Sequence, residues 1–219
     1  MRRRIQILAL AVAFPLGAQI VIDTVAGGGS TNGLQALQAP LGYYTGSAVG
    51  PDGTVYFTAQ YSVRAFGPDG VVRTIAGTGV SGFSGDGGPA QAARLWSPAG
   101  IVVDSLGNVI FGDQYRIRRV SPDGTITTIA GNGYPATSVT DGPALSTAVY
   151  PAWLAIDSSG TVYFAETSYN RLRRFNKDGT VSLFAGAPNF MSSDGDGGPA
   201  PRRIWSPALW RPTARATSS

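Results

Sequence analysis

The side chains of this 219-residue chain that could carry chemistry are carboxylates and guanidiniums, because it contains neither histidine nor cysteine. Without imidazole the commonest general base and metal ligand is missing. Without thiols there are no disulfides, thiolate metal sites or cysteine nucleophiles. The acids fall into two sets. Asp86, Asp141, Asp194 and Asp196 lie in glycine-rich turns: SGDGGPA at 84–90, DGPA at 141–144 and DGDGGPA at 194–200. Asp104 and Asp157, and Asp113 and Glu166, end short runs of β-branched residues. Arg116 and Arg171, then Arg118 and Arg173 (with Arg64 as an earlier counterpart), follow at matching distances.

Each set has two chemical readings. The turn acids could offer oxygens to a polar ligand or to a cation such as calcium, which takes about six to eight oxygen ligands. Each turn supplies only one or two acids, and the turns are far apart in the chain. Read locally, each aspartate opens an Asx turn and the glycines supply positive φ; this is favoured, so no cofactor or metal site is expected. The second set could form a ring of charge around a ligand, or one structural carboxylate–arginine pair per repeat that holds strand ends in register. Regular recurrence favours the pair, since an active site is normally built from unlike groups. No catalytic residue emerges. Gly77-Thr78-Gly79-Val80-Ser81-Gly82 has the letters of a dinucleotide fingerprint, but that site needs a helix inside a βαβ unit. The FSGDGGP that follows is not helical. Trp96, Trp153 and Trp205 recur near repeat entrances, either as stacking platforms for sugars or peptides or as packing residues.

The stretch from Pro98 to Gly131 shows what must position these groups. It holds four short β-rich runs separated by Asn, Asp, Gly and Pro turns, the pattern of antiparallel hairpins. The unit repeats. Ala-Gly ends its last run at 26–27, 76–77, 130–131 and 185–186, and Asp-Gly precedes that run at 69–70, 123–124 and 178–179. Clean apolar/polar alternation is absent: Ile126 and Ile129 fall on opposite faces, as do Tyr56 and Phe57. Both faces of each sheet must therefore be covered. Four-stranded sheets stacked face to face about an axis achieve this, which predicts an all-β fold, a β-propeller of four-stranded antiparallel blades.

Pro98-Ala99-Gly100-Ile101-Val102-Val103-Asp104, Gly107-Asn108-Val109-Ile110-Phe111-Gly112-Asp113, Arg116-Ile117-Arg118-Arg119-Val120 and Pro122-Asp123-Gly124 together resemble the NHL repeat of six-bladed propellers. The copy from Pro151 to Gly179 repeats it; the copy from Leu41 to Gly70 is degenerate, with Gly50 and Ala59 in place of its acids. The resemblance covers about residues 20–207 and implies six blades. Only three to four are expected here, so the ring is incomplete and the chain is read as a truncated product whose open blade edges offer self-association. Some similar propellers are lactonases or metal-dependent lyases. The leading expectation is nevertheless a non-catalytic binding or scaffold module for protein or glycan; the alternative is a fragment of a divalent-metal-dependent hydrolase or lyase.

The termini carry the remaining expectations. Residues 1–18 form a signal peptide, with Arg2, Arg3 and Arg4 ahead of an apolar run at 5–14 and a cut after Ala18. This predicts a secreted or periplasmic bacterial protein with no integral membrane segment after cleavage. Blades occupy 19–207 and an irregular tail 208–219. The formal charge of +4 sits at the ends: residues 19–201 contain 10 basic and 13 acidic side chains, which argues against nucleic acid as a partner. The three connections at 77–97, 131–150 and 186–206, roughly 20 residues each, are expected to be structureless and to hold function.

Overall fold

The computed structural model describes residues 44–135 and 140–186, together with Gly33, Leu34, Ala36 and Ala39. The signal peptide at 1–18, the Ala26-Gly27 strand end, the connection after Gly186 with Asp194, Asp196 and Trp205, and the tail at 208–219 lie outside the described residues.

The β-branched runs form strands and the Asp-Gly steps turn them. Blade one contains β1 (Tyr44–Val49), β2 (Val55–Ala59), β3 (Ser62–Phe66) and β4 (Val72–Ala76). Blade two contains β5 (Pro98–Val103), β6 (Val109–Asp113), β7 (Arg116–Val120) and β8 (Ile126–Ala130). Blade three contains β10 (Trp153–Ile156), β11 (Val162–Glu166), β12 (Arg171–Phe175) and β13 (Thr180–Ala185), with the two-residue β9 (Gly142–Pro143) added outside β13. Neighbouring strands pair antiparallel throughout. The turn aspartates act as Asx caps: Asp123 accepts from the Thr125 N–H at 2.9 Å, and Gly124 takes φ +85°, which glycine adopts without the Cβ penalty.

The core lies between blades. Val63 and Ala76 of blade one pack with Ile101, Val109, Phe111, Val120 and Ile126 of blade two. The other face of blade two, through Val102, Ile110 and Ile117, packs with Leu154, Val162, Phe164 and Val181 of blade three. Ile126 thus faces one neighbour while Ile129 faces the other, which explains the missing alternation. Phe57, Phe111 and Phe164 are equivalent and buried; burying each is worth roughly 1.5–3 kcal/mol.

The two described connections, at 77–97 and 131–150, overturn the expectation of structureless loops. Both cross to the blade they precede and pair with that blade's outermost strand. Gly87 N–H donates to Ile126 O at 2.8 Å, Ile126 N–H to Gly88 O at 3.0 Å, and Ala90 N–H to Gly124 O at 2.8 Å. In blade three β9 pairs with β13, and in blade one Val72 N–H donates to Leu34 O at 2.9 Å. The same strap holds the blade behind it, since Gly77 N–H donates to Ala90 O and Gly131 N–H to Ala144 O, both at 2.9 Å. The physical cause is the outer edge of each sheet, which otherwise leaves a row of backbone groups unpaired. Pro89 and Pro143 fit here because a strap at a sheet edge needs only some of its N–H groups.

Candidate functional site

The straps position the charged residues. Asp113, at the end of β6, is 1% exposed and accepts from Trp96 N–H at 2.7 Å and Ser97 N–H at 2.9 Å, the last residues of the connection before β5. Arg118 approaches it at 3.7 Å. That guanidinium, wholly buried, donates to Asp86 at 2.8 Å, Ser84 O at 3.0 Å and Arg94 O at 3.3 Å. Asp86 also accepts from the Thr128 hydroxyl of β8 at 2.7 Å. Burial pushes the Asp113 carboxyl above the usual aspartate range, against the two N–H donors, Arg118 and Arg116, which favour its charged form.

Blade three repeats the arrangement with changed parts. Glu166 is buried, accepts from Tyr150 N–H at 2.7 Å and from Arg171 Nε, and lies 3.9 Å from Arg173. Arg173 donates to Ala148 O at 3.0 Å and Thr140 O at 2.6 Å; Asp141 stands 3.9 Å away and accepts from Leu183 N–H at 2.9 Å. Burial lowers the Arg173 pKa below the ordinary guanidinium value. Asp86 and Asp141 therefore meet the arginines of the following blade, and each acid–arginine cluster latches a connection onto a blade.

Other sequence-predicted residues go elsewhere. Asp104 accepts from Leu106 N–H, Asn108 N–H and Asn108 Nδ2, and Asp157 accepts from Ser159, Thr161 and Tyr163. These two close turns and pair with no arginine among the described residues, which corrects their place among the carboxylate–arginine pairs: the β5–β6 and β10–β11 turns lie at the opposite end of the blade. Arg116 stacks over Phe83, its guanidinium carbon 3.6 Å from the ring centre, and Arg171 lies over Tyr169 at 4.8 Å. Blade one has Ala59 and Ser62 where Asp113 and Arg116 stand. Among the described residues, no three His, Cys, Asp or Glu side chains gather as a metal-holding group.

The open surface lies at the axis. The first strands of the three blades line a hollow of about 660 Å3, from Tyr44–Ser47, Ala99–Ile101 and Ala152–Leu154. Thr45 joins it to a second hollow of about 270 Å3 walled by Ala59, Gln60, Tyr61, Ser97 and Pro98. Among the described residues no Asp, Glu, Lys or Arg lines either one. Gly46, Gly100 and Trp153 correspond in that each precedes the residue opposite Phe57, Phe111 or Phe164, although β1 and β5 are irregular there while Trp153 pairs with Ala165. Close approach of strands explains Gly100, at φ +31°: a Cβ there would stand 2.7 Å from Leu154 N and Trp153 Cα. In the third blade the same position carries the indole of Trp153, 51% exposed. Trp96 is also exposed, but it sits in the connection before β5, so the two tryptophans are not equivalent. Thr45, Ser47, Gln60, Tyr61 and Ser97 escaped sequence reasoning because isolated uncharged polar residues carry no spacing signal.

Blades packed face to face around such a hollow define a β-propeller, here an open one: the described blades do not close a ring. Part of the chain, residues 79–146, matches the family profile described as the Teneurin NHL domain. A structural genomics protein of unknown function from Bacteroides thetaiotaomicron superposes with a TM-score of 0.60 at 20% identity, covering 75% of this chain and 40% of its own. An auxiliary nutrient binding protein from Bacteroides ovatus does so at 0.53 and 15% identity, covering 89% of this chain and 48% of its own. Virginiamycin B lyase from Staphylococcus aureus, in complex with quinupristin, follows at 0.46 and 17%, covering 78% and 46%, a likeness too slight to bear on function. The chain thus spans less than half of each of these structures, and the likeness is one of fold. No curated protein sequence matches the chain. Among the described residues no helix is long and apolar enough to cross a membrane.

Proposed function

We propose that this chain is an exported, non-catalytic binding module that engages a protein or glycan partner at the axial hollow. One observation carries the proposal: the buried acids and arginines are committed to latching connections, while the accessible concavity is uncharged and displays Trp153. Concave, largely apolar sites with a few polar groups are the usual form of a ligand pocket. The auxiliary nutrient binding protein with this fold supports a binding role. Export rests on the n-region, apolar run and small residue of the first eighteen positions.

The test is to expose the purified chain to glycan and protein arrays and, in parallel, to lactones and phosphate esters. Binding without turnover is the expected result. Reproducible turnover overturns the proposal. Tight calcium binding that is abolished by Asp86→Ala would instead favour a metal-dependent hydrolase or lyase.

A further inference from the structure

Resting on that reading, we propose that the axial trough binds a neutral oligosaccharide, with Trp153 as the stacking platform and Gln60, Ser97, Thr45 and Ser47 as its hydrogen-bonding partners. The charge of the lining comes first. A ligand bearing carboxylates, phosphates or ammonium groups would surrender its hydration to a wall with no counter-charge, which is costly; a sugar loses only hydroxyl hydration, which hydroxyls and amides replace. Thr45 supplies a hydroxyl already oriented by its own contacts, donating to Pro98 O at 2.9 Å and sharing a hydrogen bond with the Thr58 hydroxyl at 2.9 Å. Ser47 and Gln60 are exposed, and the side chains of Ser47, Gln60 and Ser97 are engaged by no described residue.

Trp153 is the second element. Its indole stands where blades one and two have glycine, so it is the one large side chain set into this row of three positions. An exposed indole offers a broad apolar face with two side-chain torsions to immobilise, matched to the C–H face of a pyranose. Shape is the third. The two hollows join at Thr45 and form one trough within the volume range of small-molecule sites, whereas a folded protein partner needs a broad surface of about 800 Å2 on each side. An extended peptide adding as a strand is disfavoured too. The first strands approach one another too closely at Gly46, Gly100 and Leu154 to leave their inner edges open there.

The experiment is calorimetric titration of the full chain with malto-, cello-, xylo- and manno-hexaose, with hexagalacturonate and a charged decapeptide as comparison ligands. At least one neutral hexaose should bind and quench tryptophan fluorescence. Trp153→Ala should weaken it at least about tenfold, as expected of a central aromatic anchor, Trp153→Phe less, and Gln60→Ala a few-fold, all with an unchanged urea midpoint. Failure of every neutral hexaose alongside capture of a protein or the peptide overturns the oligosaccharide assignment and leaves the binding-module reading standing. Binding that Trp153→Ala leaves intact also overturns it. Turnover of lactones would strike the module reading itself.

Discussion

Replacing Asp113 by alanine tests whether the buried acid is a latch. The substitution removes the acceptor of Trp96 N–H and Ser97 N–H, and a buried donor left unpaired costs about 1–3 kcal/mol. Stripping a buried ion pair of one partner costs about 3–5 kcal/mol when the other charge is stranded. Arg118 is not stranded, because Asp86, Ser84 O and Arg94 O remain. Water can also reach the two N–H groups once the carboxylate is gone. The loss should therefore be about 2–4 kcal/mol, and about 1–2 for Asp113→Asn, whose amide oxygen can still accept. Urea unfolding followed by tryptophan fluorescence would show the alanine variant's midpoint falling by about 1–2 M at an m-value near 2 kcal/mol/M. The pH dependence sharpens the test. Burial raises the carboxyl's folded pKa above its unfolded value, so the folded state holds the proton to higher pH. The stability this group contributes is full below the unfolded pKa, near 3.9, and is lost as pH rises through the folded value. Asp113→Asn lacks that slope, so its deficit against the wild type should narrow as pH rises from about 4. A loss below about 0.5 kcal/mol in Asp113→Ala would refute the latch, and a gap that widens with pH would refute burial as the dominant influence on its carboxyl.

Gly100→Ala should cost more than about 2 kcal/mol, because its Cβ would press on the backbone of Trp153 and Leu154, whereas Gly124→Ala, with nothing within 4 Å, should cost only the about 1–2 kcal/mol of a left-handed alanine; paired urea titrations separate the two. Phe111→Ala empties a wholly buried position between blades one and two and should cost about 3–5 kcal/mol by the same titration. Arg73→Ala removes the exposed pair with Asp69 at 2.6 Å and should leave the urea midpoint unchanged within error at 0.15 M salt; a measurable drop would contradict the surface assignment.

Blade architecture was legible in the chain because the turn chemistry is local. Asp123-Gly124 fixes its hairpin by an Asx contact spanning two residues, and the failure of alternation at Ile126 and Ile129 announced a sheet buried on both faces. The acid–arginine sets were legible as repeats, yet their partners were not. Asp86 lies 32 positions from Arg118 and is brought there only because the strap pairs with β8, a tertiary consequence of an unpaired edge. Asp104 looked like Asp113 by recurrence alone, but strand direction separates them to opposite ends of the blade. The trough was illegible for another reason: it belongs to no segment. Thr45, Ala99 and Trp153 come from three blades, and only register along three strands makes them neighbours.

The division between repeated and unrepeated positions bears on function more directly than the residue types do. Asp113 and Glu166 recur because each latches the connection that enters its blade, and a recurring need selects a recurring group. Such residues can be exchanged only at a cost in stability, so they are poor material for discriminating a ligand. The row Gly46, Gly100, Trp153 behaves in the opposite way. Sterics demand glycine where strands converge at Gly100, and the third blade places its large aromatic at the corresponding site with half its surface open. That departure buries little apolar area in the fold itself, and an exposed indole adds less to folding than a buried one. Packing among the described residues does not account for the tryptophan, and a ligand that covers it does. Chemistry in a repeat protein is then to be sought first where a blade breaks its own pattern at an accessible position, and in the described part of this chain Trp153 meets both conditions.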